Sequence, residues 1–222
     1  MRAALVSAGT VAFRLASRVR GERAIHNRGR ALTGRLTVSG GAGTGVRLLD
    51  EPASYDVLLR LSRSVGLPSR LPDILGLAVR MVDAHGPDAH QDLLLDSTLA
   101  LPLLRHLPVP RFDHLGVTYG SLFSHDVGGR RLLVGARALP GSLTATTLDE
   151  VPPDVGLALL VATPYGPWQQ VGVLRADGEL PAPQGRRIRF SPVNFGGGLG
   201  PPKLLASWRV QAYPATHVGP DA

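Results

Sequence analysis

The sequence predicts a mainly antiparallel β domain, either a barrel or a sandwich. Glycine occurs 27 times and proline 19 times in 222 residues, which favours many turns and short strands over a helical bundle. Short apolar runs alternate with turn-forming residues along most of the chain. Hydrophobic residues make up 44% of the chain and charged residues 18%, a composition that can bury one sizeable core. We therefore expect a single domain over residues 1–222.

The first predicted element is an amphipathic helix over Ala3–Val19, within an N-terminal arm of residues 1–21. Its apolar side chains recur at helical spacing along one side: Leu5, Ala8, Ala12, Leu15 and Val19. Arginines follow the apolar part, and no small-residue cleavage site is evident, so the segment does not fit a secretory signal. We expect the arm to belong to a mature, cytoplasmic protein.

Short alternating or apolar segments predict the strands that follow. They are Arg35–Ser39, Tyr55–Ser62, Leu75–Val82, Arg131–Arg137, Val155–Thr163, Gln170–Leu174 and Arg186–Phe190. Turn residues separate them, notably Gly40–Gly45, Asp126–Gly129 and the pair Asp177-Gly178. A last helix is predicted over Pro202–Tyr213, where Pro214 stops it.

Composition and charge exclude several classes of function. The chain has no cysteine, so disulfides, thiolate metal sites and cysteine nucleophiles are excluded. No apolar stretch approaches the ~18 residues of a membrane span. Residues 1–35 hold eight arginines and one acid, Glu22, which accounts for the whole net charge of +7. Because Lys203 is the sole lysine, the arginines indicate coding bias, and we expect no nucleic-acid partner. The arm could touch an anionic surface, although a solvated helix is the simpler interpretation.

Familiar catalytic motifs are absent: the sequence has no P-loop, no HExxH and no GxSxG. The Gly40–Gly45 run superficially resembles a dinucleotide-binding loop. Such a loop must open a helix, and Glu51-Pro52 is expected to prevent one here. We interpret the run as a turn between strands.

Four segments, taken in order, carry a family signature. The first contains Arg23-Ala-Ile-His26 followed by Asn-Arg-Gly, and the second runs over Val57–Gly66 and includes Arg60-Leu-Ser62. The third joins Asp73–Arg80 to Asp92–Thr98, with Tyr119-Gly-Ser as a further short match. The fourth combines Phe190-Ser-Pro, Lys203-Leu-Leu and Arg209-Val-Gln-Ala-Tyr213-Pro-Ala-Thr-His. Together they resemble the heme catalase family, whose Arg-x-x-x-Tyr-Pro-x-Thr-His box is closely similar. In that resemblance Asp73–Arg80 is similar to a strand of the family and Asp92–Thr98 to a turn.

The resemblance implies a fold and a cofactor. It implies an α+β, mainly β structure, in which a closed antiparallel β-barrel carries an N-terminal arm helix and a C-terminal proximal helix. It also implies heme b and its iron. The chain is much shorter than a typical catalase, so it is similar to the minimal catalase-related peroxidases.

The resemblance also assigns roles to individual residues. Tyr213 would be the proximal iron ligand, with Arg209 one helical turn earlier on the same face. His26 would be the distal acid–base group, because a neutral imidazole can move a proton between the two peroxide oxygens. Ser62 would hydrogen-bond that imidazole and fix its tautomer. Arg23 and Arg60 would pair with the heme propionates.

Departures from the family pattern bear on the reaction. Asp96 stands where the family has its distal asparagine, and a carboxylate cannot donate a hydrogen bond to peroxide. Aliphatic residues around Leu99–Leu104 replace the distal phenylalanines, and the third propionate arginine is missing near Pro220. These changes predict a more open pocket. We therefore expect peroxidation of a small organic reductant, with Asp96 in the catalytic set, rather than fast dismutation of hydrogen peroxide.

Two alternatives stay open. One is a catalase-fold heme enzyme that rearranges or oxidises an organic hydroperoxide, and the other is a degenerate barrel that binds heme without catalysis. The expected partners are a peroxide and a small organic reductant, and homo-oligomers are possible. The remaining histidines lie in loop-like sequence without ligand spacing, so we expect them to face solvent: His85, His90, His106, His114 and His125.

Overall fold

The structure is a computed structural model that describes residues 29–192 and 194–200. The helix predicted over Ala3–Val19 and the helix predicted over Pro202–Tyr213 both lie outside the described residues. The single domain over residues 1–222 is not tested and stays a prediction. Within the described part of the chain, no helix is long and apolar enough to cross a membrane.

The described residues form nine strands and two short helices. The strands are β1 (Gly29–Val38), β2 (Ala53–Arg63), β3 (Leu75–Met81), β4 (Gln91–Thr98), β5 (Thr118–Gly120), β6 (His125–Val127), β7 (Arg130–Ala138), β8 (Gly156–Ala162) and β9 (Gln169–Glu179). The helices are α1 (Arg47–Asp50) and α2 (Ala182–Arg187).

Eight of these strands close into an antiparallel barrel. Neighbouring strands follow the order β5-β4-β3-β2-β1-β9-β8-β7, and β5 also pairs with β7, which joins the two ends of the sheet. The remaining strand, β6, forms a hairpin with β7. Closure leaves no open edge along the eight strands. The predicted closed antiparallel barrel is confirmed, and the barrel, rather than the sandwich, is the correct alternative.

The barrel interior follows from the two-residue period of the strands. Along β2, Val57, Leu59 and Leu61 are at most 2% exposed, whereas the residues between them point outward. Strands β3 and β4 repeat the pattern with the buried side chains Leu75, Leu77, Val79, Met81, Leu93 and Leu95. These side chains, with their counterparts from the other strands, form one continuous apolar core.

Two sequence predictions at the end of the barrel are wrong. Asp177-Gly178 does not turn the chain, because β9 runs through it and pairs with β1 across a bulge near Gly34. Arg186–Phe190 is not a strand: α2 covers Ala182–Arg187 instead. Its first turn is closed by the Gln184 and Gly185 amides, which donate to the Pro181 carbonyl. Pro181 precedes the helix, and proline at a helix start favours this conformation.

Two further expectations need correction. One turn of helix, α1, does follow the glycine run, because the Asp50 carboxylate accepts hydrogen bonds from the Thr44 and Gly45 amides at 2.9 and 2.8 Å. Asp92–Thr98 is not a turn but most of strand β4, in register with β3. Four residues of helix do not make a dinucleotide site, so the rejection of that motif stands.

Candidate functional site

The candidate site is the outer face of strands β1 to β4, defined by the side chains that point away from the barrel interior. Strand pairing aligns Ser62, Gly76 and Asp96 in one row across β2, β3 and β4. The next row on the same face contains Arg60, Ala78 and Leu94, each two residues away along its strand. β1 adds Gly29 opposite Ser62 and Ala31 opposite Arg60. Small residues therefore alternate with the polar ones on this face.

Gly76 creates the space between the two polar side chains of the first row. A β-carbon at this position would lie 2.7 Å from Ser62 Oγ and 3.8 Å from Asp96 Oδ1. Any larger residue would displace the serine hydroxyl. The glycine thus leaves Ser62 and Asp96 facing one another across a shallow gap on the barrel surface.

Arg60 brings positive charge to the edge of the same face. Its guanidinium lies so close to Gly29 that a β-carbon there would be 2.5 Å from Arg60 Nε. Burial lowers the Arg60 pKa below its ordinary value, and the positive charges of Arg189 and Arg186 lower it further. Three guanidinium groups therefore share one region, a charge pattern that attracts an anion.

A buried ion pair anchors the segment that returns across this face after α2. Arg80 and Asp92 stand opposite each other on β3 and β4, and their two hydrogen bonds measure 2.7 and 2.8 Å. The Asp92 side chain is fully buried. Arg80 also donates to the Arg189 carbonyl at 2.6 Å, and its guanidinium lies 5.3 Å from the centre of the Phe190 ring. The pair therefore holds both strands and the return segment together.

Asp92 makes three more bonds to the return segment. Its Oδ2 accepts from the Ser191 amide at 2.7 Å and from Asn194 Nδ2 at 3.0 Å. Its own amide donates to the Asn194 carbonyl at 2.9 Å. The segment that leads toward the predicted helix of Pro202–Tyr213 is thereby fixed beside the outer face. The sequence marked Asp92 only as part of a family match and gave it no role.

The structure brings together three of the seven predicted site residues. Ser62, Asp96 and Arg60 all lie on the outer face, the first two in one row and Arg60 in the next. Ser62 is 5% exposed, and Arg60 and Asp96 are half-buried. The other predicted site residues lie outside the described residues: Arg23, His26, Arg209 and Tyr213. Their roles, and those of the three described residues, stay predictions.

His114 is a buried residue, so the prediction that it faces solvent is wrong. It is 0% exposed, and its Nδ1 lies 3.3 Å from the Tyr119 hydroxyl, which donates to the His114 carbonyl at 3.0 Å. Burial lowers the His114 pKa to about 4, and the positive charge of Arg63 adds to the shift. The neighbouring carboxylates of Asp113 and Asp73 oppose it only in part. Its loop-like flanking sequence gave no sign of burial.

The other four histidines are neither buried nor fully exposed. His85 Nε2 lies 3.0 Å from Gln91 Oε1, and His125 Nδ1 lies 3.0 Å from the Gly200 carbonyl. His90 accepts from the Asp83 amide at 3.0 Å. Among residues 29–192 and 194–200, no three histidine, aspartate or glutamate side chains are grouped so as to hold a metal ion.

Comparisons with known proteins support the fold. No family model matches the chain, and no curated protein matches its sequence. Among solved structures, the chain is similar to a bacterial catalase, with a TM-score of 0.61 and 14% identity over 90% of this chain and 58% of that one. It is also similar to a fungal catalase, with a TM-score of 0.59 and 13% identity over 93% of this chain and 62% of that one.

These likenesses are likenesses of fold. The predicted catalase-like barrel is confirmed at that level, since both solved structures are catalases and both matches cover most of the chain. The chain spans less than two thirds of the length of either catalase. A shared fold does not by itself establish an activity, a cofactor or a partner.

Proposed function

We propose that the chain is a single heme-binding domain that reduces hydrogen peroxide or organic peroxides with electrons from a small organic reductant. The observation that carries the proposal is the convergence of Ser62, Asp96 and Arg60 on one outer face built from small residues. The family resemblance assigned these three residues to one site from two separate segments, one with Arg60 and Ser62 and the other with Asp96. The likeness of the barrel to catalases supports the same function.

The residues of the outer face fit a flat, anionic cofactor. Gly29, Ala31, Gly76 and Ala78 have little or no side chain, so a planar group can approach the strands closely. Arg60, with the positive charges of Arg186 and Arg189 acting on it, can attract carboxylates. Leu94 is 40% exposed and offers apolar contact in the same row as Arg60. Tyr213 would supply the oxygen ligand and Arg209 would favour its ionised form.

Heme b, when bound, supplies an iron that accepts and donates electrons in peroxide cleavage. The protein's own residues would move the protons. His26 would take a proton from the inner peroxide oxygen and return it to the outer one, and Ser62 would keep the imidazole in one tautomer. Cleavage of the peroxide bond takes up two electrons from the organic donor and two protons. Hydrogen peroxide then gives two waters, and an organic hydroperoxide gives one alcohol and one water. Asp96, as a carboxylate, would repel a hydroperoxide anion and share the proton transfer.

The first experiment is an absorption spectrum of the purified full chain, expressed with heme supplied. We expect a Soret band in the wild type and its loss or a change of spin state in Tyr213→Phe, because phenylalanine offers no oxygen to iron. Ser207→Ala, which also removes a hydroxyl group from the same predicted helix, serves as the matched control. A wild type that stays colourless would contradict the proposal.

The acid–base role of His26 is tested separately. His26→Ala is expected to keep heme and to slow peroxide-dependent donor oxidation by about 10²–10⁴-fold, the usual effect of losing an acid–base group. An unchanged rate would remove His26 from the mechanism. It would also make Asp96 the first residue to examine.

The choice of reaction depends on Asp96. Oxygen release from hydrogen peroxide and oxidation of an organic donor are measured on the wild type and on Asp96→Asn. We expect donor oxidation with weak oxygen release from the wild type, and a shift toward oxygen release in Asp96→Asn. Vigorous oxygen release that the substitution leaves unaltered would show that Asp96 does not act on the peroxide.

The alternative activity, rearrangement of an organic hydroperoxide, is favoured by one observation. The exposed Leu94 and the exposed Leu101 and Leu103 provide apolar surface on and near strand β4, which suits a long-chain substrate. A rearrangement consumes hydroperoxide without an electron donor. Product formation that is independent of added donor would therefore replace the peroxidase proposal with this one.

A further inference from the structure

One loop of the protein has its charged residue inside and its apolar residues outside. This leucine loop, residues 99–107, follows strand β4. Leu101 is 60% exposed, Leu103 61%, Leu104 40% and Leu107 51%, whereas Arg105 is 1% exposed. Exposed leucines scattered singly are ordinary, but four within seven residues form a patch that marks an interaction surface.

Specific contacts of Arg105 hold the leucines in this position. Its Nη2 donates to the Gly166 carbonyl at 3.0 Å, and its guanidinium lies 4.7 Å from the centre of the Trp168 ring. The Leu103 amide donates to the Pro164 carbonyl at 3.3 Å. The loop is thus anchored to residues 163–168 through its polar atoms, and the leucines face outward as a result of that anchoring.

The backbone of Leu103 supports the same interpretation. Its φ angle is +67°, in the left-handed region that a leucine rarely adopts because its β-carbon is crowded there. One of the most exposed leucines of the loop is therefore held in an unfavourable backbone conformation by the contacts of the loop. Tyr165, in the segment to which the loop is anchored, is 74% exposed, and tyrosine is typical of the interface between membrane and water.

The leucine loop and the segment that anchors it carry no negative charge of their own. Residues 99–107 and 163–168 contain no aspartate or glutamate. A second loop, residues 64–74, exposes Val65, Leu67 and Leu71 and joins the segment after the leucine loop through paired backbone hydrogen bonds between Asp73 and Arg111, at 3.0 and 2.8 Å. Asp73 is 1% exposed and accepts three backbone amides of its own loop. Arg70 and Arg111, in contrast, are exposed.

We propose that the leucine loop docks on an anionic lipid bilayer. Exposed apolar side chains beside exposed cations, here Arg70 and Arg111, suit an anionic interface, since the leucines enter the acyl boundary and the cations meet the headgroups. The sequence supplies more of that charge, because residues 1–28 hold six arginines and one acid, Glu22. They join the barrel at Gly29, which pairs with Ser62 just before the loop of residues 64–74. An acidic protein or a second copy of this chain would be a different occupant.

The test uses the full chain and vesicles of phosphatidylcholine, with and without a third of phosphatidylserine. We expect sedimentation with the anionic vesicles and little with the neutral ones. Leu101→Ser/Leu104→Ser should weaken binding about tenfold or more, because each substitution replaces an apolar side chain that enters the acyl boundary with a polar one. Leu143→Ser is the matched control: Leu143 is 77% exposed on another loop, and its replacement should change binding less than twofold.

Insertion is measured independently of affinity. Because the wild type already contains two tryptophans, the emission of each variant is compared with that of the wild type on the same vesicles. The additional emission of Leu103→Trp should shift to shorter wavelength and be quenched by brominated lipid, whereas that of Leu143→Trp should do neither. Unfolding curves of each variant verify the fold. The proposal is overturned if the wild type ignores anionic vesicles, or if the leucine variants bind as the wild type does, which would assign binding to charge alone. A change of oligomeric state in the leucine variants without vesicles would instead assign the loop to contact between copies.

Discussion

Strands β2, β3 and β4 present two different surfaces of one barrel. Toward the interior they carry large aliphatic side chains that are at most 3% exposed, such as Leu59, Leu77 and Leu95. Toward the outside the same strands carry glycine, alanine, serine and charged residues, with Leu94 40% exposed. The inner surface can be explained by stability alone. The outer surface has few large apolar side chains and several polar groups side by side. Stability does not require this pattern, and it is typical of surfaces that bind a ligand.

The largest effect is expected from a comparison of Leu94 and Leu95, which are neighbours on β4 and point to opposite sides of the barrel wall. Leu95→Ala removes a side chain that is 3% exposed and should destabilise the protein by about 2–5 kcal/mol, the range for a core cavity. Leu94→Ala, on the other side of the same strand, should cost less than about 1 kcal/mol, because Leu94 already meets solvent. Urea unfolding of both variants gives the two values. Equal losses would show that the outer face is packed as tightly as the interior.

The second effect concerns the ion pair beneath the return segment. Asp92→Asn removes a buried carboxylate from Arg80 and should destabilise the protein by about 3 kcal/mol, since a buried guanidinium keeps its desolvation cost without its partner. The exposed pair Arg35–Asp56 provides the control: its side chains are 60% and 71% exposed, so Asp56→Asn should cost less than about 1 kcal/mol.

Hydrogen exchange of residues 188–200 gives a second readout for Asp92→Asn. Exchange there should rise, because Asp92 accepts from the Ser191 amide and from the Asn194 side chain. Unchanged exchange would show that other contacts hold the return segment.

A third effect concerns His114, which is a buried histidine. The folded-state pKa of His114 is about 4, below the ordinary value of 6.5. The unfolded chain therefore binds a proton at a higher pH than the folded one, and stability falls as pH drops from about 6.5 to 4, by roughly 2–3 kcal/mol in total. Above pH 6.5 the histidine is neutral in both states and contributes no pH dependence. Unfolding curves across this range should lose most of the slope in His114→Gln.

The smallest effect on stability, and the sharpest on the site, is expected from Gly76. In Gly76→Ala the new β-carbon would meet Ser62 Oγ at 2.7 Å, so the hydroxyl must turn away. We expect a stability change of about 1 kcal/mol and a clear loss of heme affinity in a titration. Gly166→Ala is the matched control, because its β-carbon would also approach a hydroxyl, Thr163 Oγ1, at 2.6 Å, but in the turn between β8 and β9, outside the face of β1 to β4. Equal heme affinity in the two variants would show that Gly76 makes no specific contribution to heme binding.

The strands could be predicted best where their sequence has one strong period. Leu75–Val82 and Tyr55–Ser62 were located to within three residues at either end, because apolar side chains alternate or run together between clear turn residues. Strand β4 was missed as a strand, since its central Leu93-Leu-Leu run carries no alternation and its flanks match a family turn. Asp177-Gly178 was assigned to a turn because the pair usually forms one, but pairing with β1 overrides that local preference.

The residues of the candidate site could also be predicted only in part. Ser62, Arg60 and Asp96 could be identified because the family signature fixes them in the sequence. The role of Asp92 in holding the return segment could not be predicted, since it depends on contacts with residues about a hundred positions away. The burial of His114 was hidden for a similar reason: the Tyr119 hydroxyl and Arg63 reach it only after the barrel has closed.

The sequence by itself determined that this protein is a single-core β structure, because composition and the two-residue period decide which side chains leave water. Through its resemblance to catalases it also indicated Ser62, Arg60 and Asp96 as candidate site residues. Only the tertiary structure decided which faces those residues share, because strand register sets Ser62, Gly76 and Asp96 in one row and no local pattern encodes register between strands. Closure of β5 on β7 is likewise a long-range event, since it separates a buried interior from the outer face of β1 to β4.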